Sequence, residues 1–251
     1  MHNRMRVRRA SRRMSPLATL VLAATFAIVP RSFANGNGDQ DQGSGISIKT
    51  LSTKPELVSG GDVLVRSIVR GSGDTDADAR RVVAGVHIET AAHIRATGPE
   101  RDGRENWSVE FELHVPHRAQ LALRTNNGGI SIDDFQGIAE FRARNGGVTL
   151  RNVGGEIKGE TTNGGLTIDL TGDHWDGRGL DVSTHNGGVK MTVPERYSAE
   201  LETGTVNGRV STDFPVMVQG RFDRQLNTTL GSGGVKLRVM TTNGGVTIRR
   251  Q

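Results

Sequence analysis

The 251-residue chain contains no cysteine. That excludes disulfide staples, thiolate metal sites, a thiol nucleophile and lipid attachment through a lipobox cysteine. Aromatic residues make up only 4% of the sequence, so a core has to be aliphatic and assembled from many small layers. Acidic residues are missing from the first 34 positions, although the chain has 27 of them. The same 34 positions hold Arg4, Arg6, Arg8, Arg9, Arg12, Arg13 and Arg31.

That one-sided charge, the apolar run Pro16–Pro30 and the small residues Ser32 and Ala34 of "SFA" have the order of a secretory signal peptide spanning 1–34. The apolar run is short for a membrane span, and an uncleaved anchor is the competing reading. "SRRMSPL" at Ser11–Leu17 is a faint twin-arginine signal, weakened by Ser15 where a hydrophobic residue is usual. Without the leader the chain has 25 basic and 27 acidic residues, a net charge of −2, so the basic pI of about 10.2 belongs to the leader. No Lys/Arg cluster follows it, and a nucleic-acid partner is not expected. The expected location is the periplasm or the outside of the cell, with no transmembrane segment once the signal is removed. "NGNGDQDQGSGI" opens a polar, glycine-rich stretch, and 35–60 reads as a flexible linker.

All 34 glycines lie after Ala34, and many sit in one phrase. "NGGISI" begins at Asn127, "NGGVTL" at Asn145, "NGGLTI" at Asn163, "NGGVKM" at Asn186 and "NGGVTI" at Asn243; a worn copy, "NGRVST", begins at Asn207. Apolar residues alternate after each turn, as in Val148/Leu150 and Leu166/Ile168/Leu170, and before it, as in Leu180/Val182/Thr184. Such alternation marks strands with one buried face. Asn-Gly between strands is also a hairpin signal, and an antiparallel meander is the alternative. Recurrence of the same asparagine every 18–23 residues favours an all-β parallel solenoid with one turn per coil. Asn127, Asn145, Asn163, Asn186, Asn207 and Asn243 would then stack as a hydrogen-bonded ladder, each able to take a left-handed backbone conformation. The 36-residue interval before Asn243 contains "GSGG" at Gly231–Gly234, which reads as a further, degenerate corner.

Before the repeats, 61–115 reads as irregular early coils with a cover for the solenoid end, and 116–251 as the repeats. "GDTDADARRVVAG" suggests one helical turn over Asp76–Val83. In "ENWSVEFELHVP" Trp107, Val109, Phe111 and Leu113 fall in phase.

The phrases "TTNGGLTI" at Thr161 and "TTNGGVTI" at Thr241, with the Val-Pro lead-in before alternating strands, resemble a bacterial adhesin-type β-strand repeat family of unknown function, DUF4097. The resemblance covers roughly 60–251 and implies an exported, right-handed, parallel β-solenoid. The chain departs from the pattern at Asn207-Gly208-Arg209 and over Asp213–Leu230.

Chemistry-bearing clusters are few. "TGDHWDGRG" places Asp173, His174, Trp175 and Asp176 on a lengthened corner, where a carboxylate pair and a tryptophan platform would suit a sugar; the plain reading is a polar turn. His185 reads as a solvent-facing corner residue, and Asp133–Asp134 as a turn. A calcium-binding roll needs Asp two residues after a glycine, once per turn, and those positions hold Ser131, Thr149, Thr167, Lys190 and Thr247, which excludes it. No catalytic, cofactor or metal residue is expected. The expected function is a non-catalytic adhesin-like or envelope scaffold module that binds an envelope protein or polysaccharide. The alternatives are a polysaccharide-active β-helix and an envelope-stress regulatory partner.

Overall fold

The computed structural model describes residues 17–24, 45–49, 64–89, 94–100, 104–215 and 224–251. The elements run in the order β1 (Leu17–Ala24), β2 (Gly45–Lys49), β3 (Leu64–Ser72), α1 (Asp76–Ala84), β4 (His87–Glu89), β5 (Ile94–Thr97), β6 (Asn106–Pro116), β7 (Gln120–Asn127), β8 (Ile130–Asn145) and β9 (Val148–Asn163). They continue with β10 (Leu166–Asp169), β11 (Gly177–Asn186), β12 (Val189–Val193), β13 (Ala199–Asn207), β14 (Val210–Thr212), β15 (Gln225–Leu230), β16 (Lys236–Asn243) and β17 (Val246–Arg250). The protein is all-β, with one short helix among the described residues.

Each coil contributes one strand before its Asn-Gly turn and one after it, and like strands stack in parallel. Before the turn the neighbours run β7, β8, β9, β11, β16, β13. After the turn they run β8, β9, β10, β12, β17, β14. This is a solenoid-like parallel stack rather than a meander. The strands are in register, so identical coil positions form rows. Leu121, Ala139, Ile157, Leu180, Leu237 and Leu201 make one buried row. Ile130, Val148, Leu166, Val189, Val246 and Val210 make another. One coil could not enclose its apolar side, but stacked neighbours cover each other.

The coil order in space is not the order in sequence. The chain leaves the Asn186 coil, skips one level and builds the Asn207 coil. β15 then pairs antiparallel with the far side of β13, and β16 and β17 return to fill the vacant level. Gly231–Gly234 is therefore not a further corner. It joins β15 to β16, with φ values of 53°, 80° and 132° at Gly231, Gly233 and Gly234 that favour glycine.

The segment before the stack differs from irregular coils. β3 pairs with β6, and β4 with β5, all antiparallel. α1 is longer than one turn because Thr75 and Asp78 form a capping box: the Thr75 hydroxyl accepts the Asp78 N–H, and the Asp78 carboxylate accepts the Thr75 N–H, both at 3.2 Å. The apolar residues Leu17–Ala24 form β1, antiparallel to both β6 and the first part of β8. Within 35–60, Gly45–Lys49 forms β2, antiparallel to β7. The rest of 1–34 and 35–60 lies outside the described residues. The two antiparallel strands cover the edges of the first coil, which would otherwise offer unpaired backbone groups.

Candidate functional site

The repeated corner sets the geometry of the whole surface. Asn145 Nδ2 donates to Asn127 Oδ1 at 2.9 Å, Asn163 to Asn145 at 2.8 Å and Asn186 to Asn163 at 2.9 Å. Asn243 then donates to Asn186, and Asn207 to Asn243, each at 2.7 Å. The backbone bonds run the opposite way: Gly128, Gly146, Gly164, Gly187 and Gly244 each donate N–H to the asparagine carbonyl of the next coil, at 2.8–3.1 Å. The asparagines are not in the left-handed region. Among the described residues the non-glycine positions there are Asp134 (φ 56°) and Asn152 (φ 49°). These two form a second corner, where Asn152 Nδ2 donates to Asp134 Oδ1 at 2.6 Å.

The two glycines of the phrase have different duties. A Cβ at Gly146, Gly164, Gly187 or Gly208 would overlap a glycine carbonyl of the adjacent coil. At the second glycine the contact is looser, 3.1–3.5 Å from the carbonyl at the same position of the next coil. Arg209 stands at this position in the last coil of the stack, where among the described residues no next coil supplies that carbonyl.

Sequence reasoning placed Thr184 in the inward phase but missed the bonds that the inward threonines make. Thr161, Thr184, Thr241 and Thr205 stand two residues before their asparagines and are buried. Each hydroxyl donates to the first-glycine carbonyl of the adjacent coil: Gly146, Gly164, Gly187 and Gly244, at 2.7–2.8 Å. Their signal is a polar residue in an inward phase, two before the turn. Buried hydroxyls need a partner, and the stacked corner supplies one.

The outer faces are ordered too. Glu140, Lys158, Asp181, Arg238 and Glu202 occupy one row, in that spatial order. Charge alternates along it. Arg238 bonds Asp181 at 2.9 Å and lies 3.4 Å from Glu202, while Lys236 also pairs with Glu202. The Lys236 hydrogen bond, followed by the charges of Lys236 and Arg238, holds the Glu202 carboxyl below its ordinary value. On the other face Arg151 lies 3.1 Å from Asp133 and 3.6 Å from Asp169.

The lengthened corner does not bring its four candidates together. Asp173 and His174 are exposed and paired, with Nδ1 and Oδ1 2.6 Å apart, and this bond holds the Asp173 carboxyl low. Asp176 is exposed, and its backbone carbonyl accepts from Gly155 N–H at 2.6 Å. Trp175 is 3% exposed, with Nε1 donating to Gly155 O at 3.0 Å, so it is a core residue rather than a sugar platform. Trp107 and Tyr197 are buried as well. Burial, then the Asp173 charge, pushes the Tyr197 phenol up. None of these three aromatic residues presents a stacking face. His185 is exposed beside Asn186. Among the described residues no group of three or more His, Asp or Glu could hold a metal ion, and no helix is long and apolar enough to cross a membrane.

Stacked parallel strands, one Asn-Gly corner per coil and regular outer rows define a solenoid-like repeat protein. The sequence matches the family described as Toastrack DUF4097 over residues 112–249, more than half of the chain, and the protein belongs to that family. No curated protein matches the chain. Among solved structures, it is similar to a "putative cell adhesion protein" from Clostridium sporogenes at 11% identity and a TM-score of 0.37, over 66% of this chain and 74% of that one.

Proposed function

We propose that the protein is an exported, non-catalytic binding module of the bacterial envelope, adhesin-like or scaffolding, that recognises an envelope protein through the flat outer face of its stacked strands. In this reading 1–34 is removed as a signal peptide, which frees the edges of β6 and β8 that β1 occupies in the full chain; 35–60 tethers the body apart from β2, which stays on β7; 61–115 covers the first end, and the coils of 116–251 wind right-handed. The observation that carries it is the row Glu140–Lys158–Asp181–Arg238–Glu202. It is held in register by the ladder beneath it, so its charges are presented with little entropy left to lose on binding. An alternating row suits a partner with charges at strand spacing, ~5 Å apart, and such recognition weakens with salt. Family membership and the regular faces support the binding reading over catalysis.

The test is capture of the chain lacking 1–34 by envelope fractions at low and high salt. A Glu140→Gln/Asp181→Asn/Glu202→Gln variant is expected to lose binding while remaining folded. An Asp173→Ala/His174→Ala variant is expected to keep it. The reverse pattern moves the ligand to the lengthened corner and favours the polysaccharide reading.

A further inference from the structure

We propose that Asn207–Gly208 is a spontaneous modification site, the one Asn-Gly pair of the ladder poised to cyclise and become aspartate and isoaspartate. In this chemistry the Gly208 backbone nitrogen attacks the Asn207 side-chain carbonyl carbon. The new C–N bond closes a five-membered succinimide, and the side-chain nitrogen leaves as ammonia. Water then opens the ring at either carbonyl, leaving an aspartyl or an isoaspartyl residue at position 207 and one added carboxylate. The reaction needs two things from the protein: a glycine nitrogen not held by an acceptor, and freedom of the side chain to swing onto it.

Both requirements are controlled by the polarity of the ladder. Gly128, Gly146, Gly164, Gly187 and Gly244 each have their N–H committed to the asparagine carbonyl of the next coil. The side chains of Asn145, Asn163, Asn186 and Asn243 are bonded on both sides, as donor to one neighbour and acceptor from the other. Asn127 is bonded on one side, but the glycine after it is held. The Asn207 coil is the last in space, not the last in sequence. Among the described residues there is no further coil to receive the Gly208 N–H or to donate to Asn207 Oδ1. Val206, Asn207, Gly208 and Arg209 are all exposed, so water reaches the site. β14, which follows, is three residues long and, among the described residues, pairs only with β17. At the other five corners the same cyclisation requires a coil to open first, and the opening equilibrium multiplies directly into the rate.

Conversion has a structural effect. An acid at position 207 no longer donates to Asn243 Oδ1, and the isoaspartyl form adds a methylene to the backbone between β13 and β14, which disturbs the pairing of β14 with β17.

The experiment incubates the full chain at mildly alkaline pH and maps tryptic peptides by mass and by isoaspartyl content over time. The sequence suits it, because the Arg and Lys positions place each of the six asparagines in a separate peptide; Asn207 is the asparagine of Tyr197–Arg209. The native chain is expected to convert at Asn207 at least about tenfold faster than at Asn163, Asn186 or Asn243, the factor that corresponds to ~1.4 kcal/mol of opening. In denaturant the six peptides are expected to converge to similar rates. A native Asn207 rate no higher than those of the inner corners overturns the proposal. So does a rate difference that persists in denaturant, because it would then come from local sequence rather than from the fold.

Discussion

A single asparagine in this protein acts as a rung-to-rung clamp, and its neighbours decide how much it matters. Replacing Asn163 by alanine removes one donated and one accepted bond and is expected to cost about 1–2 kcal/mol in urea unfolding. The two glycines after an asparagine separate more sharply. Gly146→Ala forces the chain away from a carbonyl of the adjacent coil and is expected to cost ~3 kcal/mol or more, whereas Gly147→Ala is expected to stay within about 1 kcal/mol. Equal losses at the two positions would contradict the close-approach explanation. Thr184→Val keeps the shape but strands the Gly164 carbonyl, with an expected cost of about 1–2 kcal/mol. The asparagines and first glycines were visible in the sequence because they repeat. The threonine hydroxyls were not, because nothing local shows which carbonyl a buried hydroxyl will meet.

The strand rows carry the charge pattern. Arg238→Glu would set a new carboxylate between those of Asp181 and Glu202, three acids side by side. It is expected to destabilise by ~1–2 kcal/mol at low salt, with a smaller loss at high salt. Glu202 also sets a pH dependence. Its folded carboxyl sits below its ordinary value of 4.5, so its contribution is present above that pH and disappears as pH falls through the lower folded value. The melting temperature of Glu202→Gln should therefore fall less steeply below pH 4.5 than that of the unaltered chain. In sequence order Asp181 and Glu202 are successive occupants of this row, an apparent like-charge contact. In space β16 stands between them and supplies Arg238, which removes the conflict. The helix suggested over Asp76–Val83 runs to Ala84; its start at Asp76 is held by the capping box rather than by an apolar stripe.

At the scale of the molecule, β16 and β17 are a keystone. Leu237, Val239, Val246 and Ile248 are at most 1% exposed, and each buried aliphatic side chain contributes about 1.5–3 kcal/mol. Ending the chain after Gly234 removes all four and leaves a gap between the Asn186 and Asn207 coils. Since a whole domain is stable by roughly 5–15 kcal/mol, that truncation is expected to abolish the cooperative transition of the second half of the stack, read by urea titration and by hydrogen exchange in β11 and β13. Retained protection in β13 would mean that the Asn207 coil stands without its filler.

The period of two along each strand and the recurrence of Asn-Gly were sufficient to establish buried faces, stacked corners and an all-β repeat, because they are local consequences of backbone geometry and close approach. Which coil lies beside which was settled only in three dimensions. Every corner carries nearly the same phrase, so the phrase cannot rank its neighbours; pairing free edges, separating like charges and filling the skipped level can. The same long-range contacts drew Trp175 out of an apparent ligand loop into the core, and left Asn207, though not the last asparagine in the chain, at the exposed end of the ladder.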